Sequence, residues 1–194
     1  MLTIRDADPG DATACAAIYR PYVLTTAITF ETEPPTVSEV SRRIEAAVGS
    51  YAWLVAETND QIIGYAYAGP FAVRPAYRWS CEVSVYLETG RRRTGAGRAL
   101  YQALLPRLIE RGYRIAVAKM TLPNDASMGL HAALGFQPVG VHRRIGWKGG
   151  AWHDVAIAQL DLISDNSPPT ERDENCASQF LRQRPGQGAG EAEK

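Results

Sequence analysis

Residues 83–98 of this chain read Val83-Ser84-Val85-Tyr86-Leu87-Glu88-Thr89-Gly90-Arg91-Arg92-Arg93-Thr94-Gly95-Ala96-Gly97-Arg98. The alternating start predicts a β-strand, the glycine- and arginine-rich middle predicts a loop, and the residues after Gly95 predict a helix. A helix N-terminus carries unpaired backbone N–H groups and partial positive charge. Glycines let the backbone approach a ligand closely. With four arginines added, the loop is typical of a phosphate or pyrophosphate site.

Two common nucleotide-binding motifs do not fit this loop. The dinucleotide motif G-x-G-x-x-G fails because Leu100 stands where the third glycine is needed. The P-loop motif starts at Gly90 and Gly95 but then has Ala96-Gly97 in place of its lysine and hydroxyl residue. What remains is Arg92-x-x-Gly95-x-Gly97, which is either a pyrophosphate loop of another kind or a solvated basic turn before an ordinary helix.

The elements around the loop predict an α/β (α+β) fold with a mixed sheet flanked by helices. A cap at Asp8-Pro9 opens a helix to about Tyr19, and Thr36-x-x-Glu39 opens another toward Val48. Further helices are predicted over Gly95–Arg111, with a kink at Pro106, and over Asp125–Leu134. The predicted strands are Leu2–Arg5, Trp53–Thr58, Gln61–Gly69, Cys81–Leu87, Ile115–Met120 and Val155–Leu162, and Asn59-Asp60 is the turn of a hairpin.

The amino-acid composition limits the classes of function to be considered. Among the 194 residues 45% are hydrophobic, and 21 basic side chains balance 21 acidic ones, so no overall field favours nucleic acid. The sequence shows no secretory signal and no apolar run of the ~18–20 residues that a membrane span needs, so we expect a cytoplasmic protein without membrane contact. From Ser164 the composition becomes rich in Pro, Gly, Gln and Glu, which predicts a domain over 1–163 and a flexible tail over 164–194, with a short helix near Cys176–Gln183 as an option.

The chain offers no metal-binding pattern. Cys15, Cys81 and Cys176 are widely spaced, which favours reduced thiols. His142 and His153 lack metal-ligand spacing, and we interpret them as structural. We therefore expect no metal centre.

The loop and several downstream motifs resemble the GNAT superfamily of N-acetyltransferases. R/Q-x-x-G-x-G/A after a strand is that superfamily's coenzyme A pyrophosphate loop, and Asn124-Asp125-x-Ser127 with His131-Ala132-Ala133-Leu134-Gly135-Phe136 is similar to its later helix and turn. The chain resembles in particular the phosphinothricin and methionine sulfoximine or sulfone acetyltransferases. This likeness covers roughly residues 2–162 and includes Thr29-Phe30-Glu31-Thr32-Glu33-Pro34-Pro35, Glu82-Val83-Ser84-Val85-Tyr86, Leu122-Pro123-Asn124-Asp125 and Trp152-His153-Asp154-Val155.

Glu82 is the candidate general base. Strand alternation places Glu82, Ser84 and Tyr86 on one face, and a carboxylate in an otherwise apolar strand is hard to explain as core. An amine is mostly protonated near neutral pH, so acetyl transfer needs a group that removes a proton. The resemblance implies that a glutamate here is the base, acting through water. The alternative is a carboxylate paired with an arginine such as Arg74 or Arg78.

The resemblance also implies a GNAT fold in which splayed strands of the sheet hold acetyl-CoA, the expected cosubstrate. The backbone of Val85, Tyr86 and Leu87 would pair with the pantetheine arm, and an N–H there would polarise the thioester oxygen. The pyrophosphate would lie on Arg92, Arg93, Thr94, Gly95, Ala96, Gly97 and Arg98, and Asn124 would contact the cosubstrate. His131 stands where many members have a tyrosine; it is either the acid that protonates the leaving thiolate or a packed helix residue.

The same resemblance implies a small amine substrate and a homodimer. The substrate would contact Phe30, Ala72, Val73, Arg74, Tyr77, Glu82, Val83 and Ser84, with Phe30 reaching across the dimer interface. An arginine fork suits a carboxylate, sulfone or phosphinate group. The leading hypothesis is a detoxifying amino-acid N-acetyltransferase. The alternatives are acetylation of a peptide N-terminus, a polyamine or an aminoglycoside, and a non-catalytic sensor that binds acetyl-CoA.

Overall fold

The computed structural model of the protein describes residues 1–91 and 94–165. It confirms the mixed α/β class. Seven strands form one sheet in the order β1-β2-β3-β4-β5-β7-β6. The strands are β1 (Leu2–Asp6), β2 (Trp53–Thr58), β3 (Gln61–Pro70), β4 (Ser80–Leu87), β5 (Ile115–Thr121), β6 (Gln137–Lys148) and β7 (Ala151–Asp161). The helices are α1 (Ala12–Thr25), α2 (Val37–Ser50), α3 (Ala96–Glu110) and α4 (Asp125–Ala133).

Local side-chain chemistry sets most of these boundaries. Asp8 caps a short 3-10 helix that leads into α1, and the Asp8 N–H in turn donates to the Asp11 carboxylate. The Thr36 hydroxyl accepts from the Glu39 N–H at the start of α2. Asn59 and Asp60 have φ of 50° and 60°, as a two-residue hairpin turn requires. The predicted hairpin turn and the Thr36 cap are thereby confirmed. Asp8 caps the 3-10 helix rather than α1, whose own N-cap residue, Asp11, makes no side-chain cap bond.

Three sequence predictions of elements were wrong. The first helix does not stop near Tyr19 but continues through Pro21 to Thr25. The prediction had no strand over Gln137–Lys148, because β6 is exposed at nearly every position and so lacks the alternating pattern of a half-buried strand. The last strand starts at Ala151, four residues earlier than expected, because it pairs with β6.

The sheet opens between its two central strands. All neighbouring strands pair antiparallel except β4 and β5, which are parallel. Their register covers three pairs, from Ser80 opposite Ile115 to Glu82 opposite Val117. Both strands continue for several more residues, so a wedge-shaped gap opens beyond Glu82. This matches the splayed pair that the resemblance implied.

A core lies on each face of the sheet. On one face α3 packs against β4 and β5 through Leu100, Leu104, Val83 and Ala118. On the other face α1 and α2 pack against an aromatic group from β2, β3 and β4 that includes Trp53, Tyr65 and Tyr86. Among the residues described, no helix is both long and apolar enough to cross a lipid bilayer.

The expectations for Arg92, Arg93, Cys176 and the segment 166–194 lie outside the described residues.

Candidate active site

The edge of β4 that faces the gap presents backbone hydrogen-bonding groups. The Ala68 N–H on β3 donates to the carbonyl of Ala52, so the Ala68 backbone points away from β4. Ala68 is opposite Val83, and Ala66 is opposite Val85. Because antiparallel pairs alternate between bonded and non-bonded, the N–H and C=O groups of Val83, Val85 and Leu87 point toward the gap. Those of Tyr86 point to Tyr65 on β3 instead, so the expectation that the Tyr86 backbone pairs with the pantetheine arm was wrong. The Leu87 carbonyl accepts from the Tyr22 hydroxyl at 2.6 Å, which fixes the end of the strand.

The start of α3 lies at the far end of this edge. Gly95 caps the helix with φ of 78°, a conformation that suits glycine. The first helical bond joins the Ala99 N–H to the Gly95 carbonyl, so the preceding amides of the first turn have no partner within the helix. A Cβ at Gly97 would lie 3.3 Å from Leu130 Cδ2 of α4, so the glycine lets the start of α3 pack closely on this side chain.

Asn124 caps α4 at the end of β5. Its side-chain oxygen accepts from the Ser127 N–H at 3.2 Å. The cap places this asparagine at the same side of the gap as the start of α3, because both helices follow the central strands. The sequence had marked Asn124 for cosubstrate contact, and the structure also gives it this local role.

Glu82 lies at the point where β4 and β5 part, and its partner is a lysine. Lys119 Nζ is 2.7 Å from Glu82 Oε2. The sequence alternative named Arg74 or Arg78 as the partner, and that assignment was wrong. Lys119 lies two residues beyond Val117, the residue opposite Glu82, so both side chains are on the same face of the sheet.

A cleft of about 410 Å³ adjoins Glu82 on the face covered by α2. One wall is α2, and the floor is formed by aromatic and small residues of β3 and its neighbours. Burial raises the pKa of Tyr67, so this phenol stays protonated at neutral pH. The cleft is lined by Glu39, Arg42, Arg43, Ala46, Ala47, Tyr51, Trp53, Tyr67, Ala68, Gly69, Pro70, Glu82 and Ser84.

The α2 wall carries two arginines that the sequence analysis missed. Arg43 donates to Glu31 Oε1 at 2.7 Å and to Glu39 Oε1 at 3.1 Å. Burial lowers the pKa of Arg43, but the two carboxylates raise it by more, so the guanidinium is charged. Arg42 also pairs with Glu39, and 60% of its side chain is exposed. The spacing of three and four residues from Glu39 puts both arginines on one side of a helix.

His131 is buried in the core beneath the gap. Its Nδ1 is 2.8 Å from the Ser127 carbonyl, which can only accept, so Nδ1 carries a proton. Burial lowers the pKa of His131, so the ring is neutral and its Nε2 accepts from the Tyr101 hydroxyl at 3.0 Å. With both ring nitrogens bonded and 4% of the residue exposed, these contacts favour the packed helix residue over the acid.

The structure divides the predicted substrate residues into two groups. Glu82 and Ser84 line the cleft. The Val83 side chain points to the opposite face and packs against α3, so only its backbone faces the gap, and a side-chain contact with substrate is ruled out. The remaining predicted residues are not among those that line the cleft; they are Phe30, Ala72, Val73, Arg74 and Tyr77.

The segment that carries Phe30 lies against the β6–β7 hairpin. A Cβ at Gly146 would come within 2.1 Å of Phe30 Cε2, so the ring rests directly on this glycine. Lys148 Nζ also donates to the Thr29 carbonyl at 2.7 Å. Ala72, Val73, Arg74 and Tyr77 form the exposed connection from β3 to β4.

Comparison with known proteins gives a consistent result. Residues 4–157 match the acetyltransferase (GNAT) domain. A phosphinothricin N-acetyltransferase of Streptomyces viridochromogenes is 41% identical over 159 residues, which is 82% of this chain and 87% of the relative. An L-methionine sulfoximine/L-methionine sulfone acetyltransferase of Pseudomonas aeruginosa is 36% identical over 86% of this chain and 98% of its own.

A solved structure extends this likeness. The crystal structure of a GNAT superfamily phosphinothricin acetyltransferase from Sinorhizobium meliloti, in complex with acetyl-CoA, superposes with a TM-score of 0.83. It is 37% identical and covers 88% of this chain and 94% of its own.

Proposed function

The chain belongs to the GNAT family of acetyltransferases, and from that premise we propose that it acetylates the amino group of a small amino-acid analogue, using acetyl-CoA. Phosphinothricin, methionine sulfoximine and methionine sulfone are the proposed substrates. The observation that carries the proposal is the place of Glu82, which stands at the opening of the β4–β5 gap and also lines the cleft. A carboxylate there is within reach of both a donor in the gap and an amine in the cleft.

The backbone and charged groups that border the gap are suited to binding acetyl-CoA. When bound, acetyl-CoA supplies the acetyl group as a thioester. The inward-facing backbone of Val83, Val85 and Leu87 offers the edge of a strand to an extended amide chain. The amides of the first turn of α3, which have no partner within the helix, would offer hydrogen bonds to a pyrophosphate, and Arg98 with the neighbouring Arg92 and Arg93 would offer positive charge.

Glu82 is proposed to take a proton from the substrate ammonium, directly or through water. Removing this proton frees the nitrogen lone pair for attack. The N–H of Val85 would donate to the thioester oxygen as negative charge develops there, because it points into the gap from a rigid strand. His131 would hold Tyr101 and the α4 backbone in position rather than transfer a proton.

The charges of the cleft support an amino-acid-like substrate. Its lining contains two carboxylates, Glu39 and Glu82, and two guanidinium groups, Arg42 and Arg43. A zwitterion places its ammonium near Glu82 and its acid group near the arginines, whose planar forks suit carboxylate and phosphinate oxygens. The positive charges of these arginines would repel a polyamine.

We further propose that the protein is a homodimer with a detoxifying role in the cytoplasm. Five large apolar residues of the β6–β7 hairpin are exposed, and such patches mark contact surfaces; they are Val139, Val141, Ile145, Trp147 and Trp152. Light scattering tests this surface. Replacing both tryptophans by alanine should shift the mass from dimer to monomer, and an unchanged mass would remove this surface as the interface.

The activity is tested by following release of CoA thiol from acetyl-CoA. The amines would be phosphinothricin, methionine sulfoximine, methionine sulfone, ordinary amino acids, a polyamine, an aminoglycoside and a short peptide. Fast turnover confined to the first three is expected. Turnover confined to another amine would contradict the substrate, and acetyl-CoA binding without turnover on any amine would favour a sensor.

A further inference from the structure

A lysine occupies the place beside Glu82 where the acceptor amine is expected. Lys119 Nζ lies 2.7 Å from Glu82 Oε2 and 5.5 Å from the centre of the Phe71 ring. Its side chain therefore extends from β5 across the opening of the gap to the carboxylate on β4. The ammonium of Lys119 makes the contact that a substrate ammonium would need to make.

The position of Lys119 follows from the strand register. Val117 is the last residue of β5 opposite β4, and Lys119 is the next residue of β5 on the same face. Ala118 and Met120 point to the opposite face and are buried in the core against α3. About 39% of the Lys119 side chain and 31% of the Glu82 side chain are exposed, so this ion pair is open to displacement.

We propose that Lys119 holds the acceptor-amine position of the site and is itself acetylated from acetyl-CoA. The inference rests on the proposed function, because it requires Glu82 to be the group that deprotonates the acceptor amine. The Lys119 amine is within hydrogen-bond distance of the proposed base and lies at the opening of the gap proposed for acetyl-CoA. A substrate amine must satisfy the same two conditions to be acetylated.

The reaction balances without a further reagent. Lys119 Nζ loses one proton to Glu82, and its lone pair attacks the thioester carbonyl carbon. A C–N bond forms, the C–S bond breaks, and CoA departs as a thiolate that takes up the second proton from Nζ. The product is neutral acetyl-lysine, which no longer pairs with the Glu82 carboxylate. A substrate amine must displace Lys119, so saturating substrate protects this lysine.

The lysine content makes the test direct, because the whole chain contains only Lys119, Lys148 and Lys194. Full-length protein is incubated with acetyl-CoA in a buffer free of amines, and the acetylated peptides are quantified by mass spectrometry. Lys148 is the internal control for uncatalysed acetylation, since its Nζ donates to the Thr29 carbonyl rather than to Glu82. We expect Lys119 to be acetylated at least tenfold faster than Lys148.

Two variants separate catalysis from simple chemical reactivity. Glu82→Gln should slow acetylation of Lys119 at least tenfold and leave that of Lys148 unchanged. Lys119→Arg keeps the positive charge and should remove only the Lys119 signal. Calorimetry on each variant establishes that acetyl-CoA still binds.

The outcomes also separate this inference from the proposed function. The inference would be overturned if Lys119 is acetylated no faster than Lys148 in protein that binds acetyl-CoA. It would also be overturned if Glu82→Gln acetylates Lys119 at the wild-type rate. If the protein turns over the amino-acid analogues but its Lys119 stays unmodified in the incubation without amines, the inference alone is overturned. Rapid acetylation of Lys119 without turnover of any tested amine would support the inference and contradict the proposed substrates.

Discussion

Replacing Glu82 by glutamine removes the proposed base and keeps the size and most polar contacts of the side chain. An amide cannot accept the ammonium proton at neutral pH, so the substrate nitrogen must lose it to bulk water. A positioned general base contributes about 10²–10⁴-fold, which corresponds to about 3–5 kcal/mol of barrier. We therefore expect kcat of Glu82→Gln to fall at least 100-fold, with the Kd for acetyl-CoA within about twofold of the wild-type value.

The loss of activity should not come from unfolding. The Glu82–Lys119 pair is partly exposed, with side-chain exposures of 31% and 39%. Exposed pairs contribute roughly 0.2–1 kcal/mol, and a change of 1 kcal/mol moves the Tm of a chain of this size by about 2–4 °C. A Tm shift of a few degrees at most is expected, and the catalytic effect is several times larger in free energy.

Glu57→Gln is the matched control. Glu57 on β2 makes a similar ion pair with Arg5 at 3.0 Å, and its side chain is 25% exposed, but it does not line the cleft. The same chemical change there should cost a comparable amount of stability and leave turnover unaltered. Both variants would be assayed by release of CoA thiol, with circular dichroism for Tm. A Glu82→Gln enzyme that retains kcat within threefold of wild type would refute Glu82 as the base.

Three further outcomes are expected. Replacing both Arg93 and Arg98 by alanine should raise the Kd for acetyl-CoA and make this Kd less dependent on salt concentration, measured by calorimetry at several ionic strengths. An unaltered Kd would contradict the assignment of these arginines to the pyrophosphate. Burial lowers the pKa of His131, so the native state binds fewer protons than the unfolded state below the ordinary value of about 6.5. The contribution of His131 to stability is therefore complete above pH ~6.5 and is lost as the pH falls through the lowered native pKa. Between pH 7 and 5 the Tm of the wild type should fall more than the Tm of His131→Asn. Parallel curves of Tm against pH would contradict this. Deleting residues 164–194 removes, from the part of the chain that the structure describes, the partly exposed ion pair between Asp165 and Arg114. The deletion should change Tm by only a few degrees and leave turnover intact; a large loss of Tm would show that the segment belongs to the fold.

The local elements of the fold could be predicted because each depends on chemistry between near neighbours. Asp8, Thr36 and Asn124 each accept hydrogen bonds from backbone N–H groups two or three residues later. Gly95 supplies the left-handed conformation that lets the loop turn into α3. Such contacts involve residues that are close together in the chain, so the sequence was enough to place the hairpin, three of the four helices and the glycine-containing turn before α3.

The strand β6 could not be predicted, because neither of its faces is buried in the core. It lies at the sheet edge beyond β7, with nearly all of its side chains exposed. Its strand conformation comes from backbone pairing with β7, which depends little on side-chain type; even Pro138 lies in register, opposite Ala158. Sequence patterns report burial more than pairing, so an exposed edge strand leaves little trace in them.

The sequence by itself determined that Glu82 lies in an apolar strand just before a loop rich in glycine and arginine that opens a helix, because alternation and helix-start chemistry are local properties of the chain. Only the tertiary structure decided which charges face that carboxylate. Lys119 is 37 positions away along the chain and reaches Glu82 through the parallel register of β4 and β5, while Arg42 and Arg43 reach the cleft through the packing of α2 on the sheet. Register and packing are set by the burial of many residues at once, and no short stretch of sequence contains them.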